Sequence, residues 1–173
     1  MRASPWGSRR LHRMLCEKLP TMDIDRDTGY FVTRTARAFM RVADAQLRPL
    51  GLGVAHVPVL LCLAEEGALT QTELARRTHV EQPTAAALLQ RMSRAGLVER
   101  SPDPRDHRAT RITPSARAEQ LLPRALELLG HSNGEATAGL SAAEIETLHE
   151  LLGRVLGNLT NMIDGSTQAG SDA

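Results

Sequence analysis

The stretch Thr70-Gln71-Thr72-Glu73-Leu74-Ala75-Arg76-Arg77-Thr78-His79-Val80-Glu81-Gln82-Pro83-Thr84, continued to Thr113, decides the fold of this chain. Thr70 and Glu73 form a Thr-x-x-Glu capping box, in which the Thr70 hydroxyl accepts from the Glu73 N–H and the Glu73 carboxylate accepts from the Thr70 N–H. A short helix follows, with Leu74 and Ala75 on its inner face. Thr78-His79-Val80 makes a tight turn. Glu81-Gln82-Pro83-Thr84 opens a second helix, with Pro83 where its missing N–H costs little. Leu88, Leu89, Met92 and Ala95 recur at helical spacing, and Gly96 ends the helix. Two helices joined by so short a turn have helix-turn-helix spacing.

The residues that follow alternate like strands: Leu97-Val98-Glu99-Arg100, then Thr110-Arg111-Ile112-Thr113. Between them lies Ser101 to Arg108, rich in Pro, Asp and Arg. A hairpin with a basic tip directly after a helix-turn-helix is a wing.

Outward from this lobe the pattern is helical. Residues 28–48 read as a long amphipathic helix with Phe31, Ala36, Phe39, Met40, Ala43 and Leu47 on its stripe, ended by Pro49 and Gly51. Val54 to Leu63 is apolar almost all round and is expected to be buried. After the wing, Pro114 is placed to begin a helix carrying Ala118, Leu121, Leu122, Ala125, Leu126 and Leu129. Pro123 predicts a kink near Gln120 or a break, and Gly130 to Gly134 is breaker-rich. Ser141 and Glu144 repeat the capping box before a last helix with Ile145, Leu148, Leu151, Leu152, Val155, Leu156 and Leu159.

These readings divide the chain into a poorly ordered extension over 1–22, dimerisation and linking helices over 23–66, a winged helix-turn-helix lobe over 67–113, C-terminal helices of the dimerisation region over 114–163 and a disordered tail over 164–173. The fold class is mainly α with a small β-wing. The first and last helices carry apolar stripes that one small lobe cannot cover, which marks an interface.

Composition narrows the function. Of 173 residues 42% are apolar but only 2% aromatic, so the core must rest on Leu, Val and Ala. No apolar run reaches the roughly 18–20 residues of a membrane span, and no long apolar core follows Arg9, Arg10 and Arg13 as a secretory signal requires. A cytoplasmic protein is expected. Residues 70–117 hold nine arginines against five acids, a net of +4, whereas 118–173 hold two against eight, a net of −6. A basic middle and an acidic end suit a DNA-binding lobe joined to a region that faces away from phosphate.

Catalysis is not expected. His56 and Cys62 share one helix but lie about 240° apart around its axis, and no phosphate loop, paired-carboxylate site or metal spacing appears. Neither a cofactor nor a metal is implied, and Cys16 and Cys62 make no disulfide framework.

The Leu74-Ala75 helix, Glu81-Gln82-Pro83-Thr84, Gly96-Leu97-Val98 and the Asp103-Pro104-x-Asp106-x-Arg108 wing, in this order and spacing, resemble the MarR family of winged-helix regulators, in particular its SlyA-like members. The resemblance covers roughly residues 24–163. It implies a homodimer built from the terminal helices, double-stranded DNA with a pseudo-palindromic operator as partner, and repression relieved by a small, often aromatic ligand. Activation by displacing other DNA-bound proteins, or redox sensing, is the alternative. The candidate DNA-binding residues are Gln82, Pro83, Thr84, Ala86, Ala87, Gln90, Arg91 and Arg94 of the second helix and Arg105, His107, Arg108 and Arg111 of the wing. By the resemblance Arg108 enters the minor groove and Asp106 braces arginines of the lobe, with Asp103 as further wing support. The ligand cleft would include Arg37, Met40, Arg41, His56 and Cys62.

Three positions depart from the family. Ala87 stands where several relatives carry a basic residue. His79 stands where Gly is frequent, and His tolerates φ > 0 better than a β-branched residue does. The strand from Arg108 to Thr113 is short, which would bring Arg111 near DNA.

Overall fold

A capping box starts the helix-turn-helix as its sequence predicts. The Thr70 hydroxyl accepts from the Glu73 N–H at 3.3 Å and a Glu73 carboxylate oxygen accepts from the Thr70 N–H at 2.7 Å. The structure is a computed structural model that describes residues 27–103 and 110–169, with 164–169 described by their backbone. In chain order the elements are α1 (Thr28–Leu47), a 3-10 turn (Arg48–Leu50), α2 (His56–Glu66), β1 (Leu69–Thr70), α3 (Gln71–Arg77), α4 (Gln82–Arg94), β2 (Val98–Pro102), β3 (Thr110–Pro114), α5 (Ala116–Ala136) and α6 (Ala142–Ala169). The chain divides into two units, Met1–Ala125 and Leu126–Ala173.

In the first unit α3 and α4 close over a three-stranded antiparallel sheet of order β1-β3-β2. Val98 pairs with Pro114 and Arg100 with Ile112 across the hairpin, and Leu69 pairs with Ile112 on the other side. The strand β1 is a finding; two residues are too few to show alternation in sequence. The core is aliphatic: Leu47, Leu60, Leu63, Leu74, Leu89, Met92, Leu97 and Ile112 are all fully buried. An ion pair between Arg77 and Glu66 ties the end of α3 to the end of α2.

Several helix limits differ from expectation, each for a local reason. Helix α2 starts at His56, after Val54, because two side chains hold the backbone before it: Asp44 Oδ1 accepts from the Val54 N–H at 2.8 Å and His56 Nδ1 from the Gly53 N–H at 3.0 Å. Pro114 ends β3 and does not open α5. The cap is Ser115, whose hydroxyl accepts from the Ala118 N–H at 3.2 Å and donates to the Gly96 carbonyl at 2.7 Å.

Helix α5 runs unbroken through Pro123 and through Gly130 to Gly134. Pro123 removes one ladder bond, but Ala118, Leu122 and Ala125 are buried and offset it. In the second unit the Ser141–Glu144 box forms as read. Helix α6 continues to Ala169, into the polar stretch expected to be a tail, because extending an existing helix fixes one residue per bond gained. The expected extension over 1–22 lies outside the described residues.

Both terminal helices carry uncovered apolar side chains. On α1 Phe31 is 59% exposed and Met40 47%; on α6 Leu156 is 66% exposed.

Candidate nucleic-acid interface

Helix α4 is divided by its own sequence. Ala85, Leu88, Leu89 and Met92 are buried and anchor it, so Gln82, Pro83, Thr84, Ala87, Gln90, Arg91 and Arg94 face outward, all exposed, with Ala86 half-buried. Ala95, expected on the inner face, is the exposed C-cap; Ala85 takes its place one turn from Leu88 and Leu89. Gln82, Pro83 and Thr84 form the first turn, where unpaired backbone N–H groups and the positive end of the helix dipole lie.

The turn sets the angle of α4. The Val80 N–H donates to the Ala75 carbonyl at 2.9 Å and the Thr78 hydroxyl to the Leu74 carbonyl at 2.7 Å. This closes only if His79 is left-handed, and its φ is 52°. Gly96, at φ 65°, reverses the chain after α4 into the hairpin.

At the root of the wing Asp103 is buried and its Oδ2 accepts from Arg111 Nε at 2.6 Å. Arg111 Nη1 also donates to the Ala68 carbonyl at 2.7 Å. Arg111 thus clamps the hairpin to the start of β1, and its guanidinium is occupied within the protein where the sequence pointed to a DNA contact. The supporting carboxylate described is Asp103. Arg105, Asp106, His107 and Arg108 lie outside the described residues.

A groove of about 580 Å³ lies between α4, the first residue of α3 and β2. Gln90 and Arg94 line it, and so do Gln71, Ser93 and Arg100, which the sequence reading left out. Strand periodicity is the signal for Arg100: it shares the helix-facing side of β2 with buried Val98. Arg91, Arg94 and Arg100 meet no carboxylate among the described residues, so their charge is available to an external anion.

The five residues assigned to a ligand cleft lie on α1 and α2. Arg37 and Arg41 share a shallow groove of about 360 Å³ on α1 with Tyr30, Thr33 and Arg34. Met40 is exposed on the same helix, and Cys62 is half-buried in α2. Cys16 lies outside the described residues. No three or more His, Cys, Asp or Glu side chains gather as a metal site, and no helix is long and apolar enough to cross a membrane, among the described residues.

His56 is held neutral. Burial lowers its pKa from 6.5, the Arg91 charge lowers it further, and Asp44 opposes both. A group with a depressed folded pKa favours the neutral form in the folded state. The stability that His56 contributes is therefore full above about pH 6.5 and is lost as pH falls through the lower folded value. Melting curves between about pH 7.5 and pH 5 should show a decline that His56→Gln flattens; an equal decline in both proteins would remove His56 as its source.

The MarR family model matches residues 50–109, from the 3-10 turn into the wing. Among solved structures, the transcriptional regulator SlyA is similar at 25% identity and TM-score 0.71, over 78% of this chain and 95% of that one. A cysteine-to-serine variant of MarR from E. coli, complexed with operator DNA, is similar at 25% identity and TM-score 0.72, over 80% of this chain and 99% of that one. A probable transcriptional regulator from Pseudomonas aeruginosa is 28% identical with TM-score 0.71, over 76% and 98%.

Proposed function

We propose, from the premise that this chain belongs to the MarR family of winged-helix regulators, that it is a homodimeric repressor that binds a pseudo-palindromic operator and is released from it by a small anionic aromatic ligand. The observation that carries the DNA half is the outer face of α4. It presents Gln82, Thr84 and Gln90 beside Arg91, Arg94 and Arg100, three arginines that meet no carboxylate among the described residues. Glutamine can bond adenine in two places and alanine methyls can meet thymine methyls, so Gln82, Ala86 and Ala87 suit base edges. The arginines suit phosphates, which set register and most of the affinity. The likeness to MarR, solved with operator DNA, supports the same mode of docking.

The ligand half rests on α1. Arg34, Arg37 and Arg41 face one way at helical spacing beside Tyr30, with no acid among the residues lining that groove. A carboxylate or phenolate with an aromatic ring matches that chemistry.

Two substitutions test the DNA reading by failing differently. Gln82→Ala should cost about 1–3 kcal/mol at one base position and relax the preference there. Arg108→Ala, in the basic segment between β2 and β3, should weaken all sequences together and reduce the log–log salt slope by about one. Titrations against the operator and its single-base variants at several salt concentrations decide between them. If Arg108→Ala leaves both affinity and slope unchanged, the wing does not touch DNA.

A further inference from the structure

A second cleft, of about 560 Å³, lies at the foot of the wing between α2, the end of β3 and the start of α5. That volume falls within the roughly 300–1,000 Å³ of small-molecule sites. Its floor is aliphatic: Leu60, Leu63, Ala118 and Leu122 are all buried. Arg, Lys and His are missing from its lining, which sets it apart from the arginine groove on α1.

Its polar equipment is acceptor-only at one end. The Glu119 side chain is exposed on the rim, and its carboxylate meets no cation among the described residues. Pro123 lines the cleft one turn later, inside α5. Because proline has no N–H, the bond that residue 123 would give to the Glu119 carbonyl cannot form. The acceptor at this end is the Glu119 carboxylate, beside an aliphatic floor. A carboxylate ligand at this end would meet the like charge of Glu119, with the Thr113 hydroxyl as the donor in the lining, whereas an ammonium group gives Glu119 a charge-assisted bond.

We propose that this cleft binds a small lipophilic cation, an amine with an aromatic or aliphatic body, with its ammonium on Glu119 and its body over Leu60, Leu63 and Leu122. Pro114, the last residue of β3, also lines the cleft, so the occupant bears on the strand that carries the wing. The binding itself does not depend on the DNA reading, and it is tested without DNA.

The experiment is calorimetric titration of the full chain with naphthylmethylamine, naphthylmethanol and naphthoate, which share a ring system and differ in charge. The amine should bind at least about tenfold more tightly than naphthoate, the ratio expected of a charge-assisted hydrogen bond. Glu119→Gln should lower amine affinity by about tenfold and leave the alcohol unchanged. Ala64→Trp, on the exposed rim, should block both. Both positions are exposed, so unchanged melting curves confirm that the variants are folded. Naphthoate bound as tightly as the amine, an amine affinity indifferent to Glu119→Gln, or no binding of any of the three overturns the proposal.

Discussion

Replacing Leu152 and Leu156 together by glutamate should convert the protein to a monomer and lower its operator affinity by at least about 100-fold. Leu148, Leu151, Leu152, Leu156 and Leu159 recur at helical spacing on α6 and are 40%, 51%, 42%, 66% and 49% exposed in the single chain. Burying what remains exposed of five leucines gains on the order of 5 kcal/mol per copy, enough to offset much of the cost of association. Two carboxylates in that face would have to be desolvated without partners. The affinity falls because each half-site would then be bound alone, without the effective concentration that linkage supplies. Sedimentation and operator titration read both effects. A stable dimer with unchanged binding would move the interface away from α6.

Arg111→Met should lower stability by about 2–3 kcal/mol, or roughly 5–10 °C in melting temperature for a chain of this size. The guanidinium makes two short bonds, at 2.6 Å to buried Asp103 and at 2.7 Å to the Ala68 carbonyl. Its removal leaves a buried carboxylate with one strong donor fewer. Adding Asp103→Leu to the same protein should restore part of the loss, because the desolvated charge is removed as well. If Arg111→Met melts with the parent protein and only its salt slope on DNA falls, the residue is a DNA contact and not a clamp.

The legible parts of the fold were those written in adjacent residues. Both capping boxes, Gly96 and the tight turn at His79 follow from side chains within three or four positions of the backbone they serve. The apolar face of α4 follows from its period, apart from the exchange of Ala85 for Ala95. What escaped depends on residues far apart in sequence. Strand β1 exists because Leu69 meets Ile112. The start of α5 is set by Ser115 bonding back to Gly96. Pro123 does not break its helix because that helix packs an aliphatic face that a local rule cannot weigh.

The site was legible to the same degree. Outward residues of the recognition helix could be read from helical phase. Arg111 could not be assigned, because an arginine at the start of a wing strand reads alike whether it reaches DNA or reaches Asp103. Arg100 could have been found from strand phase, and Gln71 only from the fold. Spacing along α1 and α2 does not say which faces share one groove, so the grouping of Arg37 and Arg41 with Tyr30 and Arg34 is read from the fold.

The most direct measurement is footprinting of the full chain on DNA fragments recovered by genome-wide mapping of its bound sites. The account predicts one protected stretch with two-fold symmetry and half-site centres about one helical turn, roughly 10 bp, apart, occupied by two copies of the chain. Protection of a single asymmetric half-site by one copy, or no reproducible protected site, would contradict it.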